Sequence, residues 1–197
     1  MKTFLISDTH FNHKRILEFD ENRNARPFRS VEEMDKTLIN KWNSVVSKQD
    51  TVFHLGDFSF CNFEKSKAIF NRLNGRIHLV MGNHCRSRSV SWFKNVGFYQ
   101  VYKYPICFKN YFWLSHEPMV LDKKSNYINI HGHIHSPGRM KQFENVLSDS
   151  NHINVCAEMI NFTPISLGDL IKNAPHNHRV KEIERFLDDD KKGDKHE

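Results

Sequence analysis

Five short clusters in this chain combine carboxylate, amide and imidazole side chains, the types that can ligate divalent cations. They are Asp8-Thr9-His10, Gly56-Asp57, Gly82-Asn83-His84, Ser115-His116 and Gly132-His133-Ile134-His135. Two divalent ions ~3.5–4 Å apart need carboxylate, amide and imidazole donors, with one group shared between them. Such a pair can deprotonate a water at neutral pH and clamp phosphate oxygens. Asp8 and His10 can reach one ion from a single loop. Asp57 has the short carboxylate suited to bridging, and Asn83 offers an amide oxygen without adding charge. His116, His133 and His135 supply imidazoles. The glycines at 56, 82 and 132 let the backbone turn sharply beside them. Singly, each cluster is ordinary: D-x-H reads as a surface turn, and Gly-Asp is a common turn dipeptide. Gly-Asn-His reads as a turn with a cap, and a lone His116 as a satisfied polar residue. Their joint occurrence, in this order, carries the assignment.

Each cluster follows a stretch that reads as a strand. Residues 2–7 form the first. Ser30 and Glu33 make a capping box, and Val31, Met34, Leu38, Trp42 and Val45 recur at helical spacing, predicting a helix over 31–47. A second strand at 51–55, a helix at 63–73 stopped by Gly75, and a third strand at 76–81 follow. This β-α-β-α-β order predicts parallel strands with crossover helices. Further on, 98–103, 106–108, 111–115, 126–131 and 152–156 read as strands, and 165–172 and 179–187 as helices. Ends of parallel strands share one edge of a sheet, where ligand sites form. One domain over 1–187 is expected, with residues 188–197 a charged, mobile tail.

A chain of 197 residues, 39% apolar, can bury a core without disulfides. Most of its 16 Phe should be core. The net charge of +6 favours anionic partners: nucleotides, phosphorylated molecules or nucleic acid. The four Cys include no C-x-x-C pair, which excludes a zinc ribbon or a thioredoxin-like motif. They read as reduced thiols of a cytoplasmic protein. The first apolar run is too short for a signal peptide. No run approaches the ~20 residues of a membrane span, so no membrane partner is expected.

The series D-x-H, G-D, G-N-H, H and G-H-x-H, met from Asp8 to His135, resembles the calcineurin-like metallophosphoesterase superfamily. Residues 8–13, Arg26-Pro27-Phe28 and the helix from Val31 are similar to its small bacterial and phage members. The resemblance implies an α+β (α/β-like) fold of four layers, a mixed β-sandwich flanked by helices. It implies one metal site from Asp8, His10, Asp57 and His135, and another from Asp57, Asn83, His116 and His133. His84 would be the uncoordinated imidazole beside the phosphate, able to protonate the leaving oxygen. The family pattern usually has an acidic residue after Gly-Asn-His, to orient that His. Here it is Cys85, a weak hydrogen-bond partner, so a slower reaction or a bias toward good leaving groups is expected.

The implied activity is hydrolysis of a small phosphate ester, foremost a nucleotide-type phosphodiester, by hydroxide generated between two ions. Nitrogen and oxygen ligands without thiolate suit Mn²⁺, Fe, Ni²⁺ or Zn²⁺, with Mn²⁺ favoured. Asn12, His13 and Arg26 are candidate substrate contacts, Arg because its fork matches phosphate oxygens. A nucleic-acid end is a further candidate substrate. The alternatives are a phosphomonoesterase or phosphoprotein phosphatase, and a non-catalytic scaffold. A charge-driven nucleic-acid binder leaves the ligand set unexplained, and a single-zinc hydrolase needs only three protein ligands. The sequence sets no oligomeric state.

Overall fold

Apolar side chains alternate along the first three strands, so each strand serves two cores. In a computed structural model of the chain, which describes residues 1–18, 25–122, 124–136, 141–147 and 151–173, these strands are β1 (Thr3–Ile6), β2 (Thr51–His54) and β3 (Arg76–Val80). Phe4, Ile6, Val52, Ile77 and Leu79 face one way, into a core shared with the helices. Leu5, Phe53 and Val80 face the other way, toward a second sheet.

The helices of the first core are α1 (Val31–Val45), α2 (Phe63–Phe70) and α3 (Val90–Val96). Ser30 caps α1 by accepting from the Glu33 amide at 3.2 Å, while the Glu33 carboxylate returns to the Arg29 amide at 2.8 Å. Met34, Leu38, Ile39 and Trp42 form its buried stripe. Burial of each of the first three stabilises by roughly 1.5–3 kcal/mol. Asn62 and Ser89 cap α2 and α3 by accepting the Lys65 and Trp92 amides, without a returning carboxylate.

The first sheet has the order β4-β3-β2-β1-β9, with β4 at Gln100–Tyr102 and β9 at Ile165–Ser166. Strands β1 to β4 are parallel and β9 is antiparallel to β1. The second sheet runs β5 (Ile106–Phe108), β6 (Phe112–Leu114), β7 (Ile128–His131) and β8 (His152–Asn154). There β6, β7 and β8 are parallel and β5 is antiparallel. Phe112, Leu114, Ile128 and Ile130 meet Leu5, Phe53 and Val80 in the core between the sheets. Helix α4 (Leu167–Asn173) adds Leu167, Leu170 and Ile171 to it.

The α+β class and the mixed sheets flanked by helices are as expected. Two readings change. Residues 165 and 166, expected as the start of a helix, are strand β9, and the helix begins at Leu167. Helix α3 was not foreseen: it has seven residues and its cap, Ser89, lacks the acidic partner of a capping box. The helix at 179–187, the domain limit at 187 and the tail at 188–197 lie outside the described residues. Among the described residues, no helix is long and apolar enough to cross a membrane.

Candidate metal centre

The five clusters follow β1, β2, β3, β6 and β7 in turn. Three of those strands belong to one sheet and two to the other, so the site sits where the ends of both parallel sets meet. A single sheet edge would not have brought all five together.

The turns that aim the ligands are tight. Asp8, His10, Asp57 and His133 all have left-handed backbone, with φ between 49° and 69°. Non-glycine residues seldom adopt this region, and when they do they cluster at functional sites. Gly132 lies so close to the first loop that a Cβ there would strike Ser7 Oγ and Asp8 Oδ2.

Each aspartate is pinned by one oxygen and presents the other. Asp8 Oδ2 accepts the His133 amide at 2.8 Å, while Oδ1 has no hydrogen-bond partner. Asp57 Oδ1 accepts the His84 amide at 3.1 Å, leaving Oδ2 toward His116 Nε2 at 3.3 Å. Around Asp8 Oδ1 stand His10 Nε2 at 3.6 Å and His135 Nε2 at 3.4 Å. Neither ring nitrogen of His10 has a hydrogen-bond partner. Around His116 Nε2 stand Asn83 Oδ1 at 2.7 Å and His133 Nδ1 at 3.2 Å. Asp8, Asp57 and His116 offer ligand atoms within 4.8 Å of one another. The chain therefore brings all seven sequence-derived ligand candidates together, His10 and His135 about Asp8 and Asn83, His133 and Asp57 about His116, with Asp57 also near Asp8.

The imidazoles are oriented from behind. His116 Nδ1 donates to the Leu55 carbonyl at 2.8 Å, which turns Nε2 toward the centre. His135 Nδ1 donates to Glu158 Oε1 at 2.8 Å, which does the same for its Nε2. Ligating histidines are commonly fixed by such partners. Burial disfavours charge on His116, yet Asp8 and Asp57 overcome it and raise its pKa to about 9. His135 is also raised, by Asp8 and Glu158 against burial. Burial opposes ionisation of Asp8, but His116 and His135 hold its carboxyl well below the usual range. For His10 burial, with His135 and Arg26, outweighs the support of Asp8 and lowers the pKa to about 4, so the ring stays neutral. Carboxylate, amide and imidazole groups crowded together, with orphaned atoms on Asp8 and His10, fit divalent cations.

His84 is exposed, its ring 4.9 Å from that of Phe60 and 5.9 Å from that of His10. It stands at the mouth, outside both ligand sets. His13 stacks on Phe60 at 3.7 Å between centroids, at the same rim. The other two substrate candidates point elsewhere. Asn12 Oδ1 accepts from Lys65 Nζ at 2.6 Å. Arg26 is buried: its Nε meets Glu158 Oε1 at 2.5 Å, and its terminal nitrogens donate to the Thr9 and Asp8 carbonyls. Arg26 thus grips the loop after β1 from behind. Cys85 is buried with its thiol 3.8 Å from Asp57 Oδ1, and burial, then Asp57, pushes its pKa up to about 11.

Sequence reasoning missed Glu158 and Cys156. Both lie just past β8, the place where every other cluster stands relative to its strand, and that position was the available signal. The Cys156 thiol donates to Glu158 Oε2 at 3.0 Å, and Cys156 groups with Asp8 and His135 as a possible cation cradle. Burial, with Asp8 and Glu158, raises its pKa well above the ordinary value.

The model of the calcineurin-like phosphoesterase superfamily domain matches residues 1–155, the stretch that holds all seven ligand candidates. The chain is 36% identical over 178 residues to an uncharacterised protein, MJ1445, of Methanocaldococcus jannaschii, covering 87% of this chain and 90% of that one. It is 40% identical over 85 residues to the Gene 66 protein of Mycobacterium phage L5, covering 42% of this chain and 39% of that one. The crystal structure of AQ665, a protein of unknown function from Aquifex aeolicus, has a TM-score of 0.66 at 27% identity. That match covers 87% of this chain and 98% of that one. With the family model spanning most of its length, the chain belongs to the calcineurin-like phosphoesterase superfamily.

Proposed function

We propose that the protein is a phosphoesterase dependent on two divalent metal ions, and that its substrate is a small phosphate ester of the nucleotide phosphodiester type. The observation that carries this reading is the pair of acceptor sets around Asp8 Oδ1 and His116 Nε2, with Asp57 close to both. One set would be Asp8, His10, Asp57 and His135, and the other Asp57, Asn83, His116 and His133. When bound, two cations would supply the activated water and the positive charge that clamps the phosphate oxygens. Mn²⁺ is the favoured ion for these nitrogen and oxygen donors, with Fe, Ni²⁺ and Zn²⁺ suited to the same set.

The chain's own residues do the rest. Asp57 holds the two sets at fixed spacing through its amide-pinned carboxylate. His84, at the mouth and tied to no ligand by its side chain, is placed to give a proton to the leaving oxygen. His13 and Phe60 form the rim. Arg26 and Asn12, both engaged within the protein, serve the loop rather than the substrate. The unpaired thiols of Cys61, Cys85, Cys107 and Cys156 agree with a reducing cytoplasmic setting.

Metal-stripped protein titrated with Mn²⁺ tests the reading on bis-p-nitrophenyl phosphate and p-nitrophenyl phosphate. Mn²⁺-dependent diester turnover, abolished in Asp57→Ala together with binding of both ions, is expected. Retention of two ions by Asp57→Ala would sink the bridging role. Monoester turnover alone would make the protein a phosphatase. Bound metal without turnover of either would favour a scaffold.

A further inference from the structure

Between the end of β3, the β4–β5 connection and the loop after β6 lies a cleft of about 780 Å³. Its inner end reaches Asn83 and His116 of the second ligand set. Its outer walls carry Arg86, Lys103, Tyr104 and Glu117. The proposed reaction assigns none of these four a role.

Tyr104 is 69% exposed, with the Lys103 ammonium 5.7 Å from its ring centroid. Arg86 meets Glu117 at 3.2 Å, their side chains 74% and 47% exposed. An ion pair this wet adds little to stability, so folding does not account for it. Arg88 also lines the cleft, but its guanidinium donates to the Ser59 and Cys61 carbonyls and lies over Trp92. Arg86 and Lys103 then leave the outer cleft with two cations against one carboxylate, a balance that attracts anions. The exposed ring beside them offers a stacking face for a flat group. A phosphate held at the ligand sets would have its ester arm at the inner end of this cleft.

We infer that the cleft is the subsite for the organic arm of the ester, and that it takes a nucleobase-bearing arm: Tyr104 stacks on the base, while Lys103 and Arg86 draw the arm's further negative charge. This rests on the hydrolase reading above. None of Tyr104, Lys103 and Arg86 is a ligand candidate, so the two can fail separately.

The test uses the full chain loaded with Mn²⁺ and the variants Tyr104→Ala and Lys103→Glu, both altered at exposed positions. Thymidine 5′-p-nitrophenyl phosphate and methyl p-nitrophenyl phosphate, both diesters, are the substrates. The variants should raise KM for the nucleotide ester on the order of tenfold, with kcat and metal content held. KM for the small ester should not move. Equal changes on both esters, or none on either, would overturn the subsite while leaving the hydrolase intact. Binding of thymidine 5′-monophosphate, followed by equilibrium dialysis, gives a readout independent of turnover. Binding weakened by Tyr104→Ala in a protein that hydrolyses neither ester would keep the subsite and sink the hydrolase. Binding indifferent to Tyr104→Ala would overturn the subsite.

Discussion

Glu158 shares one carboxylate between the guanidinium of Arg26 and the imidazole of His135. Burial opposes its charge, but Arg26 and then His135 lower its pKa to about 2. It therefore stays ionised behind His135, a ligand candidate. Glu158→Gln should weaken Mn²⁺ binding about 10- to 100-fold, as loss of such partners does. Electron paramagnetic resonance of free Mn²⁺ would read this, and unchanged affinity would remove Glu158 from the site. His116 sets the pH dependence. Its pKa of about 9 in the metal-free protein lies above the ordinary 6.5, so its charge stabilises that form fully below pH 6.5. This contribution fades as pH rises through 9. A cation needs the neutral ring, so apparent Mn²⁺ affinity should climb between pH 7 and 9, with proton release on binding. Calorimetry in buffers of different ionisation heat would measure the release, and pH-independent affinity would contradict it. The seven ligand candidates were legible because each sits in a short motif next to a strand. The work of Arg26 was not. A guanidinium has the same sequence signature whether it meets a substrate phosphate in water or a buried glutamate, and only burial separates the two.

Strand order decides what the turns must tolerate. Gly132 follows β7 and abuts the loop after β1, so Gly132→Ala would push a Cβ into Ser7 and Asp8. Gly97 closes α3 at φ 137°, where a Cβ would meet Phe70 instead. Both alanine variants should lose about 2 kcal/mol or more of stability in urea unfolding. Gly132→Ala alone should also lose Mn²⁺ affinity, because only there does the displaced neighbour carry a ligand. Equal affinities in the two variants would break this link between turn and site. At this scale the sequence showed strongly periodic elements well, since α1 has a cap and four buried positions on one face. It hid β9 because a two-residue strand has no period; its pairing partner β1 lies at the other end of the described chain. Nor could it tell that five strand ends belong to two sheets. That depends on which strands pair, and each strand alone has the same pattern either way.

Across the molecule, Asp50 ties the first two parallel strands at their starts. Its carboxylate accepts from the Lys2 amide at 2.6 Å and from the amide and hydroxyl of Ser47. The Lys2 amide, then Ser47, hold its pKa down to about 2. Its contribution is present above the ordinary carboxylate range and is lost as pH falls toward 2. Asp50→Asn should therefore flatten the fall in melting temperature between pH 5 and 2, and a slope like that of the parent chain would refute it. The convergence of two sheets on one centre has its own consequence. The ligand candidates at 8, 57 and 135 are distant in the chain, so a cation held by them would be a removable cross-link. It would shorten the reach of the unfolded chain much as a disulfide does. Unless the opened chain keeps the ion, chelation should speed proteolysis of the whole domain, core included, and not of the site loops alone.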